Sequence, residues 1–112
     1  MKHIENSFDY ALPAIGEVSL SIVLGDGQKG SSSFKNFNGN YVIGAVSDVL
    51  LGNAENIKNK SLLISSLVSD VNPNTDLTSI TYLINDAEAK SYSEEAESPN
   101  DSVYYTTTIN FK

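Results

Sequence analysis

The sequence predicts an all-β fold, an antiparallel β-sandwich of about seven strands with an Ig-like or C2-like outline. Three observations carry this. Apolar and polar residues alternate along Glu17–Leu24 and Ser102–Phe111, the two-residue period of a half-buried strand. Clusters of Gly, Asn, Asp and Pro recur every ten to fifteen residues, which punctuates the chain into short strands. No segment of helix length shows a 3.6-residue period. A small orthogonal β-barrel is the alternative arrangement of the same strands. A chain of 112 residues holds one core, so residues 1–112 read as a single domain. Residues 1–14 read as an extended or frayed N-terminal segment.

In Glu17–Leu24, Val18, Leu20, Ile22 and Leu24 share one face, while Glu17, Ser19 and Ser21 share the other. Gly25–Gly30 reads as a turn. Phe34–Ile43 is a hairpin signal, in which Asn38-Gly39 supplies the two positive-φ residues of a type I′ turn. Ala45–Lys60 reads as a loop with one helical turn, capped by Asn53 and running through Ile57. Ser61–Val71 carries apolar residues on both faces (Leu62, Ile64, Val68; Leu63, Leu67, Val71), which suits a central strand. Leu77–Asn85 is rich in β-branched and aromatic residues and reads as a strand. The acid-rich stretch around Glu94, Glu95 and Glu97 reads as a solvated edge strand, whose charge blocks edge-to-edge pairing. In the last strand, Val103, Tyr105, Thr107, Ile109 and Phe111 face one way and Tyr104, Thr106, Thr108 and Asn110 the other.

Composition removes several chemistries. The chain has no Cys and no Trp, and its seven basic residues are all Lys. Disulfides, thiolate catalysis, Cys-ligated zinc and guanidinium sites are excluded. The net charge is −7, and Asp86–Asp101 alone, with six acids and Lys90, carries −5 of it. No basic patch exists to neutralise phosphates, so nucleic acid is not an expected partner. An anionic membrane surface would repel the chain. No uninterrupted apolar run exceeds three residues and the N-terminus lacks an apolar signal core. The expectation is a soluble chain without membrane insertion, cytoplasmic by default, with secretion by another route left open.

Four motifs invite a functional reading. Gly25-Asp26-Gly27-Gln28-Lys29-Gly30 matches G-x-G-x-x-G, but no helix-length segment follows to hold a pyrophosphate. Ser32-Ser33-Phe34-Lys35 matches S-x-x-K without the companion motifs of that chemistry. The single His3 leaves any serine nucleophile without an evident imidazole partner. Glu94, Glu95 and Glu97 are the carboxylates on which a small hydrolase would rest, and no catalytic residue is assigned from them. The fourth, Asp70-Val71-Asn72-Pro73-Asn74-Thr75-Asp76, sets oxygen donors at alternate positions. Calcium needs six to eight oxygens, and Asp70, Asn72, Asn74 and Asp76 could supply part of a set completed by Asp48 or Asp26. Thr75 stands where an EF-hand has Gly and Thr81 where it has Glu, so an EF-hand is excluded. A plain turn explains the same residues.

The leading expectation is a non-enzymatic protein-interaction or assembly module, binding a protein partner or itself. Its contact surface would include the outward Tyr104, Thr106 and Thr108, since Tyr is enriched at interfaces. No resident cofactor and no small-molecule substrate is indicated. The alternatives are a calcium-dependent glycan-binding module using the Asp70–Asp76 loop, and the small carboxylate hydrolase.

Overall fold

In the computed structural model, which describes residues 1–112, two sheets face each other across one core. The strands are β1 (Lys2–Tyr10), β2 (Glu17–Leu24), β3 (Lys29–Lys35), β4 (Tyr41–Gly44), β5 (Val49–Asn53), β6 (Ser61–Ser69), β7 (Leu77–Ile84), β8 (Ala87–Glu95) and β9 (Ser102–Phe111). One turn of helix, α1 (Ala54–Ile57), follows β5. The five-stranded sheet has the order β1-β9-β6-β3-β4 and the four-stranded sheet the order β5-β2-β7-β8. The fold is the expected all-β sandwich, and neither sheet closes into a barrel. No helix is long and apolar enough to cross a membrane.

Alternation decides which side chains enter the core. Along β9, Val103, Tyr105, Thr107, Ile109 and Phe111 are buried, and every residue between them is half-exposed. Along β7, Thr78, Ile80, Tyr82 and Ile84 are buried in the same way. The two sheets are tied through hydroxyls. Tyr82 on β7 donates to Thr107 Oγ1 on β9 at 2.7 Å. Tyr105 on β9 shares a 2.7 Å hydrogen bond with Thr78 Oγ1 on β7, and Thr78 in turn donates to the Glu94 carbonyl. Each strand thus lends a tyrosine to the other's threonine, and buried polar groups are satisfied as burial requires.

Several sequence expectations are corrected. There are nine strands, not about seven. Of the extended or frayed segment expected at the N-terminus, residues 2–10 take the extended form: they are β1, which runs parallel to β9 from Lys2↔Val103 to Tyr10↔Phe111. One ladder of the sandwich is therefore parallel. Aromatic packing holds β1 down, with the Phe8 ring 5.9 Å from Tyr82 and the Tyr10 ring 6.2 Å from Phe111. The stretch read as a loop with one helical turn contains β5 before that turn. Gly52 sits in the strand at φ 140°, a conformation that favours glycine. Asn53 occupies the N-cap position of α1 without a side-chain capping bond.

The β3–β4 hairpin also differs from the type I′ expectation. Of its turn residues, only Gly39 has positive φ, at 90°. Gly39 N–H donates to the Asn36 carbonyl, and Asn36 N–H donates to the Asn40 carbonyl. This is a three-residue loop, in which glycine takes the left-handed position after an ordinary turn. Asn36 sets its length. The Asn36 Oδ1 accepts from Phe37 N–H at 2.8 Å, while Nδ2 donates to the Leu50 carbonyl at 2.9 Å. Phe37 turns inward, its ring 6.1 Å from that of Phe111.

Two outcomes are expected. Tyr82→Phe removes a buried donor and lowers unfolding free energy by about 1–2 kcal/mol in denaturant titration. Alkali destabilises the fold through the same residue. Burial pushes the Tyr82 phenol up to about 12, despite the opposing hydrogen bond with Thr107. The unfolded phenol titrates near 10, so its stabilising contribution is complete below about pH 10 and is lost between about pH 10 and 12, by about 2–3 kcal/mol. Melting temperatures measured across that range should fall accordingly, and less steeply in Tyr82→Phe.

Candidate functional site

Gln28 organises one end of the sandwich. It is 7% exposed, at the start of β3, and its amide meets four backbone groups. Oε1 accepts from the N–H groups of Val71 at 2.7 Å and Asn72 at 2.9 Å. Nε2 donates to the carbonyls of Thr75 at 3.2 Å and Leu77 at 3.0 Å. The β6–β7 loop is thus wrapped around one side chain. Asn72 adds two bonds: Nδ2 donates to the Asp26 carbonyl, and Oδ1 accepts from Asn74 N–H at 3.0 Å.

The G-x-G-x-x-G glycines serve this end too. Gly27 has φ 71° in the β2–β3 turn. A Cβ on Gly30 would collide with the Leu67 carbonyl on β6. The motif is spent on turning and on close strand approach, with no phosphate cradle.

The wrapped loop forms a depression of about 510 Å³, lined by Asp70, Asn72, Asn74, Thr75 and Asp76 together with Pro73, Pro99 and Asn100. The four residues predicted as a calcium set therefore do meet at one cavity. Asp70 is 3% exposed, and its Oδ1 has no hydrogen-bond partner. The exposed Asp76 faces it. Asp76 is held above the usual carboxylate range, first because its protonated form can hydrogen-bond to the Asp70 carboxylate, then by desolvation and by the charges of Asp70 and Glu95. Asn72 lines the cavity but spends its Oδ1 within the loop. Asp26 contributes a backbone carbonyl to Asn72. Asp48 lies elsewhere, beside Ser21 and facing Asp86. No group of three or more His, Cys, Asp or Glu side chains converges anywhere. The cavity lining has no aromatic ring on which a sugar could stack.

The second candidate surface is the outer face of the five-stranded sheet. Tyr104, Thr106 and Thr108 lie there as expected, half-exposed on β9. Registers align them into rows across the sheet: His3–Tyr104–Leu67–Ser31, then Glu5–Thr106–Ser65–Ser33–Ile43, then Ser7–Thr108–Leu63. The Tyr104 ring lies 5.3 Å from His3. Thr106 and Thr108 border a shallow depression of about 480 Å³ with Glu5, Ser7 and Leu63. β6 is central in its sheet, but Leu63 and Leu67 stay exposed on its outer side. Apolar residues on both faces of β6 mark an uncovered stripe, not double burial.

Glu94 and Glu95 lie on β8, an edge strand as the charge of this stretch predicted, while Glu97 lies beyond its end. Glu94 receives Lys2 Nζ at 3.1 Å, and Glu97 lies 3.9 Å from the chain's ammonium group. Glu94, Glu95 and Glu97 border none of the four surface depressions. Comparison with known protein families, curated proteins and solved structures yields no match.

Gln28→Ala strands the N–H groups of Val71 and Asn72. It should cost about 2–3 kcal/mol. Hydrogen exchange should show faster exchange confined at first to residues 71–77.

Proposed function

We propose that the chain is a non-enzymatic interaction and assembly module whose contact surface is the outer face of the five-stranded sheet. An Ig-like or C2-like outline belongs to this reading as architecture alone and lends it no function. The observation that carries the reading is the exposed apolar set Leu63 (57%), Leu67 (38%), Ile43 (76%) and Tyr41 (71%) on a face whose central strands otherwise carry mainly Ser and Thr, with charges at its flanks. Contiguous exposed apolar surface on a small domain is a mark of contact sites.

The partner to which this reading commits is a second copy of the chain. Charge on the face is sorted across its width. Glu5 and Asp9 lie on the β1 flank, and Lys29 and Lys35 lie on the β3 flank. A two-fold axis running along the strands above β6 would lay the acidic β1 flank of each copy over β4 of the other, next to the lysine-bearing β3. Leu63 would meet Leu63. That is the self-complementary pattern an isologous dimer needs. A different protein on the same face is the other outcome of the test.

Light scattering should give a mass near twice 12.1 kDa for the wild type, falling to one chain in Leu63→Lys. Leu63 is exposed, so this variant should keep its stability within about 0.5 kcal/mol. A wild type that stays monomeric at millimolar concentration overturns the self-association.

A further inference from the structure

We infer that the pole formed by the β6–β7 loop is a site for a hard divalent cation of the calcium class, held between the carboxylates of Asp70 and Asp76. This does not rest on the dimer reading, and the two surfaces share no residue.

The loop's alternate oxygens alone would not carry a site, because Asx-type turns use the same residues. The independent observation is Asp70. Its side chain is almost wholly buried, borders the cavity, and leaves Oδ1 without a donor. A buried carboxylate needs a counter-charge or several donors, and the protein supplies neither. The three ion pairs of the structure involve only Met1, Lys2, Glu94, Glu97 and Asp101. No Lys lines the cavity. A second carboxylate, Asp76, instead faces the first. Two acids brought together at an opening with no base call for a positive charge from solvent.

The donors specify which cation. The lining offers oxygen-bearing side chains from Asp70, Asp76, Asn74 and Asn100, with no sulfur and no imidazole, while Thr75 Oγ1 accepts from Leu77 N–H. That excludes a soft-metal set. An open cavity of about 510 Å³ walled by loops suits a large ion with a loose, partly hydrated shell better than the tight octahedron of magnesium. Asn72 is a positioning residue here, since its Oδ1 holds Asn74 N–H. With two carboxylates only, affinity belongs at the weak end for calcium sites, with a dissociation constant of about 10⁻⁴–10⁻³ M.

The test is a thermal melt of the chelator-treated full chain in about 10 mM calcium chloride, against magnesium chloride at the same concentration; saturation of this degree predicts a rise of about 6–11 °C with calcium. Asp76→Ala alters an exposed residue and should fold normally, yet lose the rise. Asp70→Asn keeps the buried shape and should lose it too. Asp48→Ala, away from the cavity, should keep it. In a calcium titration followed by NMR, the amide shifts should concentrate at residues 70–76 and 99–101. No rise in the wild type, an equal rise with magnesium, or a rise that survives in Asp76→Ala would each overturn the inference.

Discussion

The two tyrosine–threonine bonds that cross the sandwich between β7 and β9 set the arrangement on which the rest depends. Apolar burial is non-directional and would tolerate sheets sliding over one another. A phenol that must reach one particular hydroxyl does not. Tyr82 finds Thr107 and Tyr105 finds Thr78 at 2.7 Å each. A slip by one residue would strip Tyr82, Tyr105 and Thr107 of these partners and leave Thr78 only its bond to the Glu94 carbonyl, a large cost for buried polar groups. With β7 and β9 locked, the β6–β7 loop and the turn before β9 must share one pole. The same lock fixes which face of the five-stranded sheet looks outward.

That division separates two kinds of surface. The outer face of the five-stranded sheet is broad, rigid and nearly uncharged at its centre, with its charges at the flanks. The pole is concave, acidic and built from loop residues hung on one amide. Gln28 is central to the second surface because its side chain carries two acceptor positions and two donors, and the loop presents two N–H groups and two carbonyls to match them. A carboxylate at position 28 would lose both donors. It would also add a third negative group near Asp70 and Asp76.

The sandwich was legible where local pattern and burial agree. Ser102–Phe111 alternates in burial throughout, Glu17–Leu24 alternates apolar with polar up to the exposed Val23, and their ends coincide with those of β2 and β9. α1 was legible from the Asn53 signal alone. β1 was not, because its inward positions include Lys2 and Asn6 beside Ile4, Phe8 and Tyr10, so the alternation does not register as apolar against polar. Its parallel partner lies about a hundred residues away, and no local pattern encodes such a pairing. β5 was masked by Gly52, whose backbone conformation matters more than its strand propensity. The hairpin turn misled because Asn38-Gly39 is a strong local signal, while Asn36 and Phe37 are held by Leu50 and Phe111 from distant elements. At the pole, the grouping of Asp70, Asn74 and Asp76 was visible as spacing. Gln28 and Asn100 were not, since they arrive through tertiary contact from other loops.

The parallel β1–β9 ladder has a consequence for the order in which the chain assembles. Its closure spans nearly the whole polypeptide, and both loop entropy and folding time rise with such separation. The β3–β6 and β6–β9 ladders join strands much nearer in sequence. Loop entropy thus favours seating β9 ahead of β1, and a sandwich with β1 undocked leaves the outer edge of β9 and the rings of Tyr82 and Phe111 bare. Any nearby first strand can fill the vacancy, whether its own or a neighbour's.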